Sequence, residues 1–477
     1  MSIRSPIQDF LLKHALENPI SFHMPGHKGS ALYRRMGYSD FLDKIMDCDI
    51  TEITGADNLF QAEGIIREAQ ERYATLYGVK KSYLQINGSS GANIAAMLAS
   101  VPKGKKIIMA RNCHKSAFNA LVLGDIKPVY VYPEVIEKYG ISGPVSPKEI
   151  DRLLIENHDA EAVILPSPNY YGICSDIRAI AEVVHKHDKV LIVDQAHGAH
   201  LRFFRRFGIK NMPESAEEAG ADIIVNSIHK TLASLTESAV LNLNSDRVDS
   251  QMIEDKLQAM ESTSPSYLLM ASLDINTSII EEAGAELFGQ WAESLEYFYR
   301  EAAGIKGLKY IDRVSGFDWT KMNFGFGELG IMGSELERLL MDKYGIFIEL
   351  FTGDLVMCMS GIGNTEEDVK RLVSALKEIA EEHSGKHIVK PAQVDELRMP
   401  SGRLELCDIP QIRKSVPLLE AEGMICAASI IPYPPGIPYI CPGEKITAEA
   451  IAYIRNLRSY GEKVIGVDER GCVLVGL

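Results

Sequence analysis

Short apolar runs alternate with amphipathic stretches between about residues 80 and 227, and this alternation indicates the fold class. Each run has the length and composition of a buried β-strand, and each stretch between two runs is long enough for a helix. The predicted strands are residues 82–86, 106–110, 128–132, 162–166, 190–194 and 221–227. Strands that alternate with helices are joined by right-handed crossovers. We therefore predict an α/β fold with a mostly parallel sheet and helices on both faces.

The helices of this region have predicted starting points. The first two are expected at residues 91–101 and 114–124. Ser146-Pro147-Lys148-Glu149 has the residues of a capping box, with proline in the first helical turn. Ser175 is expected to cap the helix of residues 176–188.

A chain of 477 residues is too long for one ordinary domain. After about residue 300 the pattern changes to two strand-like pieces and two helical stretches, which predict a smaller α+β domain. We place the boundaries so that the chain divides into an N-terminal segment, a large domain, the smaller domain and a C-terminal domain. These are residues 1–60, 61–300, 301–385 and 386–477.

Composition excludes several classes of function. The chain has 65 acidic and 50 basic residues, a formal net charge of -15, which argues against nucleic acid as a partner. The eight cysteines include no C-x-x-C pair, so neither a zinc nor a redox motif is present, and no metal site is expected. The N-terminal residues lack a signal-peptide core, and no apolar run approaches the ~20 residues of a membrane span. We expect a cytoplasmic protein without a membrane partner.

Chemically useful residues follow the predicted strands, where an open parallel sheet binds its ligands. After the first strand, Gly88, Ser89 and Ser90 open a helix, so hydroxyl groups and free backbone N–H groups form a cup for a phosphate. A capped strand–helix turn is the alternative. After the second strand, His114 begins a helix; its ring either stacks on a flat ligand or only initiates that helix.

Two further strands end in an acid and a lysine. Asp194 ends an apolar strand, where a poorly solvated carboxylate prefers a cationic partner, although a strand-ending aspartate also caps turns. Ser227, His229 and Lys230 follow the strand that begins at residue 221. The loop 167–172, SPNYYG, either packs over a ligand or only turns the chain.

A phosphate cup, a stackable ring, a carboxylate and a lysine together suit one cofactor, pyridoxal 5′-phosphate (PLP). It carries a phosphate, an aromatic ring, a protonatable ring nitrogen and an aldehyde. Lys230 would bind the aldehyde as an imine and thereby avoid the cost of burying a charge. Asp194 would pair with the ring nitrogen and keep it protonated, so that the ring acts as an electron sink.

Motifs along nearly the whole chain resemble the ornithine/lysine/arginine decarboxylases, which are fold type I PLP enzymes related to aspartate aminotransferase. The resemblance is greatest to the short bacterial members that are similar to arginine decarboxylases. The motifs are HMPGHKG (23–29), DITEITGADNLF (49–60), NGSSGAN (87–93), RNCHKS (111–116), DQAHGAH (194–200), SIHKTLASLTES (227–238), STSPSYLLMASLD (262–274) and PYPPGIP (432–438).

The resemblance implies roles for individual residues. Lys230 is similar to the Schiff-base lysine, Asp194 to the partner of the ring nitrogen, His114 to the stacking ring, and Ala196 to the residue on the opposite face. Catalytic roles are implied for Lys230, His229, Asp194 and His114. The implied cofactor-binding set also contains Gly88, Ser89, Ser90, His197, Ser227 and His229, with Thr263 and Ser264 reaching the phosphate from a neighbouring subunit. The resemblance therefore implies at least a homodimer with shared sites. It also implies that HMPGHKG and Asp57-Asn58 form part of the site entrance.

The implied reaction is α-decarboxylation of a basic amino acid, with arginine favoured over lysine or ornithine, giving CO2 and a polyamine precursor. His229 or Lys230 would protonate Cα, and Glu349 or Glu444 would bind the distal cation unless they are packing residues. Ser89-Ser90, Thr231-Leu232-Ala233 and Asn58 depart from the family pattern, which leaves the substrate more open than the reaction type. The alternatives are an aminotransferase or lyase of the same fold type, or a catalytically silent PLP-binding protein.

Overall fold

The computed structural model describes residues 5–384, 409, 412–433, 436–459 and 461–476. The α-helices of these residues are α1 (Pro6–Glu17), α2 (Ala31–Arg35), α3 (Ser39–Asp43), α4 (Ile65–Tyr77), α5 (Gly88–Ser100), α6 (Lys115–Gly124), α7 (Pro147–Glu156), α8 (Ile177–Lys186), α9 (Leu201–Arg206), α10 (Ile228–Thr231), α11 (Ser250–Met260), α12 (Tyr267–Ala302), α13 (Gly333–Tyr344), α14 (Glu366–His383) and α15 (Ala448–Ser459). The strands are β1 (Ile20–Phe22), β2 (Lys81–Gln85), β3 (Lys106–Ala110), β4 (Lys127–Val131), β5 (Val135–Ile136), β6 (Ile141–Ser142), β7 (Ala160–Pro166), β8 (Val190–Asp194), β9 (Ile223–Asn226), β10 (Ala239–Leu243), β11 (Lys309–Tyr310), β12 (Lys321–Gly325), β13 (Ile346–Ile348), β14 (Leu350–Thr352), β15 (Leu355–Met359), β16 (Arg413–Pro417), β17 (Ile431–Tyr433), β18 (Lys463–Ile465) and β19 (Cys472–Gly476). None of the described helices is long and apolar enough to cross a membrane.

The large domain is built on a seven-stranded sheet of order β2-β10-β9-β8-β7-β3-β4. Every pair from β9 to β4 is parallel, whereas β10 is antiparallel to both of its neighbours. One core cluster joins the sheet to α5, α6, α7 and α8, and another joins it to α4, α9 and α12. The predicted α/β class, with a mostly parallel sheet and helices on both faces, is confirmed. The antiparallel strand β10 was not predicted.

Three local predictions in this domain were wrong. Helix α5 begins at Gly88 rather than at residue 91, so the predicted phosphate cup lies in the first helical turn. Ser146 precedes α7 without a side-chain capping bond, although Pro147 does begin that helix. Asp176 caps α8 by accepting a hydrogen bond from the backbone N–H of Ala179, whereas the Ser175 hydroxyl accepts one from another segment, the N–H of Val145.

The smaller α+β region is a four-stranded sheet of order β11-β12-β15-β14, which packs against α13 and shares a core cluster with α14. Helix α14 packs on the 36-residue helix α12, which connects this region to the large domain. A true capping box, formed by Thr365 and Asp368, begins α14. Strand β1 adds an N-terminal connection, because it pairs in parallel with β13.

The C-terminal residues form a separate domain. Strand β16 pairs with β19 and strand β17 pairs with β18, and both pairs are antiparallel. Helix α15 packs beside these strands, and the buried side chains between Val416 and Val475 make a core cluster of their own. The limits of the four predicted segments stay predictions, and the boundary at 385–386 lies outside the described residues.

Candidate functional site

Lys230 lies in the short helix α10, directly after β9, at the carboxyl edge of the sheet. Its Nζ atom is 2.9 Å from Nε2 of His197, and it lies over the ring of Tyr170, 5.8 Å from the ring centre. Burial lowers the pKa of Lys230 to about 8, and attraction to Asp194 partly opposes this change. A lysine of this kind has an appreciable neutral fraction near neutral pH, which an amine nucleophile requires.

Asp194 ends β8 beside β9, so the parallel register brings it to the same edge as Lys230. Its carboxylate is buried and accepts two hydrogen bonds, from Nδ2 of Asn93 at 2.8 Å and from the N–H of Ala196 at 3.2 Å. Burial raises the pKa of Asp194, whereas the nearby Lys230 charge lowers it. The site therefore contains a buried acid that gains from a further cationic N–H partner.

His114 is held at the N-terminus of α6. Its Nδ1 atom accepts a hydrogen bond from the N–H of Ser116, and the Ser116 hydroxyl in turn lies 3.3 Å from Nδ2 of Asn93. Burial and then the charge of Lys230 lower the pKa of His114 to about 3. The ring is therefore uncharged at neutral pH. Asn93, which connects His114 to Asp194, was not predicted; it is the one amide side chain within the otherwise small and apolar α5 segment 91–100.

The predicted phosphate cup brings together two hydroxyl groups from different elements. Ser227, which precedes α10, donates a hydrogen bond from its Oγ atom to Oγ of Ser89 at 2.7 Å. Ser89 and Ser90 lie in the first turn of the 13-residue helix α5, and Gly88 begins that helix with a φ of +66°. Glycine suits this position because a left-handed conformation strains any residue with a Cβ atom.

His229 and the loop 262–264 are the remaining predicted residues. The Nδ1 atom of His229 donates to the carbonyl of Ser238 at 3.0 Å, and burial lowers the pKa of His229 to about 4. Thr263 and Ser264 are exposed on the described protomer, between α11 and α12. The protomer does not bring them into the buried cluster of Lys230 and Asp194, and their contact with a second subunit stays a prediction.

A buried charged network behind Lys230 was missed by the sequence analysis. The Nζ atom of Lys321 donates to the carbonyl of His197 at 2.7 Å, to the carboxylate of Asp318 at 2.9 Å and to the Thr320 hydroxyl at 3.1 Å. Lys321 and Asp318 are both fully buried. These contacts join the second sheet to the residue whose ring touches Lys230.

His200 continues this network to the turn that carries Lys230. Its Nε2 atom is 3.1 Å from the Asp318 carboxylate, and its Nδ1 atom is 3.1 Å from the Thr231 hydroxyl. Burial lowers the pKa of His200. Burial alone would raise the pKa of Asp318, but its hydrogen bond with His200 and its hydrogen bond and charge interaction with Lys321 hold it far below its usual value. A neutral His200 donates from Nε2 to Asp318 and accepts at Nδ1 from Thr231. The network therefore fixes Thr231 and, through His197, the surroundings of Lys230.

The HMPGHKG loop packs directly on the Lys230 turn. The N–H of Gly26 donates to the carbonyl of His229 at 2.7 Å, and a Cβ atom at residue 26 would lie 2.4 Å from the carbonyl carbon of Thr231. Lys28 donates to backbone carbonyl groups, and burial lowers its pKa to about 7. The N–H of Met24 donates to Oε2 of Glu349 at 2.9 Å. The loop is thus part of the wall of the site.

Asp57, also implied at the entrance, uses its carboxylate to hold the backbone of its own loop. Its carboxylate accepts hydrogen bonds from the backbone N–H groups of four residues, which begin the segment leading into α4. These donors are Asn58, Glu63, Gly64 and Ile66. Together they lower the pKa of Asp57.

Glu444 is engaged in a buried ion pair at the start of the RNCHKS motif. The Arg111 guanidinium donates to Glu444 at 2.9 Å and to the carbonyl groups of Pro438 and Tyr439. The same carboxylate accepts from the N–H of Cys441 at 2.7 Å. This clamp holds the C-terminal domain beside His114.

The chain matches the sequence models of one protein family. The family model described as Orn/Lys/Arg decarboxylase, major domain, matches residues 5–314, and the model of the C-terminal domain of the same family matches residues 409–470. The chain belongs to this family. The resemblance inferred from the sequence motifs is therefore confirmed.

Individual members of the Orn/Lys/Arg decarboxylase family align over nearly the whole chain. An arginine decarboxylase of Bacillus subtilis is 32% identical and aligns over 98% of this chain and 96% of its own length. An arginine decarboxylase of Halalkalibacterium halodurans is also 32% identical, over 98% and 96%. The solved constitutive lysine decarboxylase of Escherichia coli shares the fold with a TM-score of 0.76, at 19% identity, covering 99% of this chain and 82% of that one.

Proposed function

We propose that this protein decarboxylates a basic amino acid at Cα, with arginine as the preferred substrate, and that PLP is its cofactor. The observation that carries the proposal is the placement of a partly neutral Lys230 beside a buried Asp194 at one sheet edge. Membership of the Orn/Lys/Arg decarboxylase family supports the reaction, and the names of the two arginine decarboxylases at 32% identity support the preference for arginine.

The residues present fit PLP. The buried acid Asp194 suits a protonated ring nitrogen, and the uncharged ring of His114 suits an aromatic face. The hydroxyl groups of Ser89 and Ser227, at the N-terminus of α5, suit a phosphate. When bound, PLP accepts the electron pair that remains on Cα as the carboxylate leaves as CO2.

The side chains of the protein would hold the cofactor and transfer protons in this reaction. Lys230 would hold the cofactor aldehyde until the substrate amine displaces it, and would then be free beside the reacting carbon. The Nδ1 proton of His229 is donated to Ser238, and the low pKa of this ring leaves Nε2 without a proton at neutral pH. We therefore assign protonation of Cα to Lys230 rather than to His229.

Glu349 is the better of the two candidates for binding the distal cation of the substrate. Both oxygens of Glu444 are taken by Arg111, and one also accepts from Cys441. Glu349 accepts from the N–H of Met24, and its charge interacts with that of Lys230. We expect Glu349→Gln to raise KM for arginine at least about tenfold, since a hydrogen bond to a charged group contributes about 1.5–3 kcal/mol. An unchanged KM would exclude Glu349 from this role.

We also propose a homodimer with shared sites. The exposed positions of Thr263 and Ser264 support it, because these polar residues then remain available to the phosphate of a second subunit. Sedimentation of wild type and of the double variant Thr263→Ala/Ser264→Ala would test it. A dimer whose cofactor affinity falls in the variant is expected, and a monomeric active enzyme would contradict the proposal.

The reaction is tested by incubating the protein and PLP with arginine, lysine and ornithine, and identifying the products by mass spectrometry. We expect CO2 and the amine of one substrate, without the keto acid that an aminotransferase would form. Lys230→Ala should lose this activity, whereas Lys115→Ala, which removes an exposed lysine at the start of α6, should keep it. Bound cofactor without turnover of any of the three would instead favour a silent PLP-binding protein.

A further inference from the structure

His197 is the buried histidine whose ring contacts the amine of Lys230. Its Nε2 atom lies 2.9 Å from Nζ of Lys230, and the residue is only 6% exposed. The other ring nitrogen, Nδ1, is buried and has no hydrogen-bond partner among the described residues. Within the part of the chain that the structure describes, Lys230 is therefore the one hydrogen-bond partner of this ring.

The neighbouring histidines differ from His197 in this respect. Both ring nitrogens of His200 are engaged by side chains of the buried network, and Nδ1 of His229 donates to the carbonyl of Ser238. These contacts decide which nitrogen of each ring carries the proton. In His197 that choice is left to Lys230.

The ring of His197 is uncharged at neutral pH. Burial lowers its pKa well below the usual value, and the charges of Lys230 and Lys321 lower it further. A neutral imidazole has one nitrogen that donates and one that accepts, whereas an ammonium group only donates. Nε2 must therefore accept from the protonated form of Lys230, and the ring proton then lies on Nδ1.

The ring is held in place by the residues around it. It packs on the Tyr170 ring with 4.2 Å between the ring centres, and the carbonyl of His197 accepts a hydrogen bond from Nζ of Lys321 at 2.7 Å. At the next residue, Gly198, a Cβ atom would lie 2.5 Å from Cδ of Pro168, so the backbone turn is closely packed. A ring held in this way presents Nε2 at a fixed point.

Loss of the ammonium proton reverses the direction of the hydrogen bond. The neutral amine of Lys230 has a lone pair, which accepts from a ring that carries its proton on Nε2. That tautomer leaves a lone pair unpaired at Nδ1 instead of an N–H group, and orphaned buried N–H groups are the rarer of the two. The ring carries one proton in both states, and the proton that Lys230 loses goes to solvent.

We propose that His197 is the positioning residue of the Lys230 amine, which accepts from the charged amine at Nε2 and donates from Nε2 to the neutral amine. In the charged form one N–H group of Lys230 points at Nε2, and this fixes the rotation of the other two about the Cε–Nζ bond. The proposal rests on the role of Lys230 in the proposed function. Its test uses protein without PLP or substrate, so its failure is distinguishable from a failure of the decarboxylase proposal.

Other charged and titratable groups face the same pair. Burial has the largest effect on the pKa of Lys230 and lowers it; two carboxylates oppose burial and one amine adds to it, namely Asp194, Glu349 and Lys321. The rings of His114 and His229 also face His197, and burial keeps both uncharged at neutral pH. Among the described residues, none of these groups replaces Lys230 as a hydrogen-bond partner of the His197 ring.

The test is 15N NMR of the imidazole rings in wild-type protein without PLP, labelled at histidine and titrated from pH 6 to pH 10. At pH 6 we expect the His197 proton on Nδ1. It should move to Nε2 with a midpoint near the pKa of Lys230, about 8, and no charged imidazolium should form. His229 should keep its proton on Nδ1 throughout. The His197 signals are identified by their absence from the spectrum of His197→Gln.

Variants separate positioning from packing. In Lys230→Met the movement of the His197 proton should disappear. His197→Phe keeps a ring against Tyr170 but has no acceptor, and because hydrogen bonds to charged groups are roughly twice as strong as neutral ones, the pKa of Lys230 should fall by about one unit. His197→Gln, which offers an oxygen acceptor, should restore at least half of that shift. His187→Phe, at a ring that contacts Asp151 near the opposite edge of the sheet, should leave the pKa of Lys230 unchanged.

The wild-type spectra decide the tautomer by themselves, so the test does not depend on the folding of a variant. A His197 ring that carries its proton on Nε2 at pH 6, or that keeps one tautomer from pH 6 to pH 10, overturns the proposal. So does an unchanged pKa of Lys230 in folded His197→Phe protein, which would leave the ring with a packing role alone.

Discussion

Replacing Lys321 by methionine removes the ammonium group at the centre of the buried network behind Lys230. Methionine has nearly the same length and keeps the apolar packing of the lysine stem. The change leaves the carbonyl of His197 without its donor and removes the charged donor of one Asp318 oxygen, which keeps only Nε2 of His200 nearby. It therefore tests whether the network stabilises the structure around the site.

The magnitude follows from the burial of the pair. Lys321 and Asp318 are fully buried with 2.9 Å between their charged atoms, and removing one partner of such a pair costs about 3–5 kcal/mol. The other Asp318 oxygen keeps its donors, the N–H and the hydroxyl of Thr320, and His200 remains beside the carboxylate. We therefore expect the lower end, a loss of about 3 kcal/mol in the free energy of unfolding, on the order of 100-fold in the equilibrium constant.

The assay is urea unfolding followed by tryptophan fluorescence. The only two tryptophans, Trp291 and Trp319, are both buried in the core that surrounds this network, so the signal reports on it directly. Lys370→Met is the matched control, because Lys370 also lies 2.9 Å from a carboxylate, that of Glu366, but on the surface. Since exposed ion pairs contribute little, we expect the control to unfold like wild type.

A double variant separates charge burial from packing. Asp318→Asn/Lys321→Met removes both charges, and we expect it to regain more than half of the stability lost by Lys321→Met, since no uncompensated carboxylate remains. The reasoning is refuted if Lys321→Met is within about 1 kcal/mol of wild type, or if the double variant is less stable than the single one.

Two further predictions concern the wall of the site. NMR titration of lysine side chains in cofactor-free protein should show two resonances with pKa values of about 7 and about 8, because burial disfavours the charged amines of Lys28 and Lys230. Each resonance should vanish in the corresponding alanine variant. Titration of both amines above pH 10 would contradict the assignment. Gly26→Ala should lower Tm and displace the Lys230 turn, since the new Cβ atom would clash with the Thr231 backbone. Gly289→Ala, at an open position within α12, should not lower Tm. Equal Tm values for both variants would refute the steric argument.

The sheet edge was predictable because it depends only on periodicity and direction. Apolar runs of strand length place Asp194 and Ser227 at the ends of neighbouring parallel strands, and such ends meet at one edge. Cap positions were less predictable, since Ser175 and Asp176 are both good capping residues. Asp176 caps the helix because the Ser175 hydroxyl accepts a hydrogen bond from the N–H of Val145, which is distant in sequence. Strand β10 is antiparallel to both neighbours, so the alternation of strands and crossover helices does not predict it.

The network behind the site could not be predicted from the sequence. Lys321 lies in a strand of the second sheet, far along the chain from His197, and a lysine in an amphipathic segment is ordinarily exposed. Asn93 lies in a helix whose buried face is set by its packing on the sheet. In both cases the partner is fixed by tertiary contacts, so no local pattern identifies it. The family motifs included Asn93 without implying a role for it.

The pairing of β1 with β13 has a consequence for biosynthesis. Ile20 leaves the ribosome hundreds of residues before its partner Ile346. At about 5–20 residues per second, the delay is on the order of tens of seconds. Throughout that interval the loop that ends in Lys28 lacks one of its contacts, that of Met24 with Glu349, although the Lys230 turn that contacts Gly26 is made earlier. Strand β1 therefore stays unpaired and exposed to aggregation during that time, and the candidate site can form completely only when most of the polypeptide has been translated.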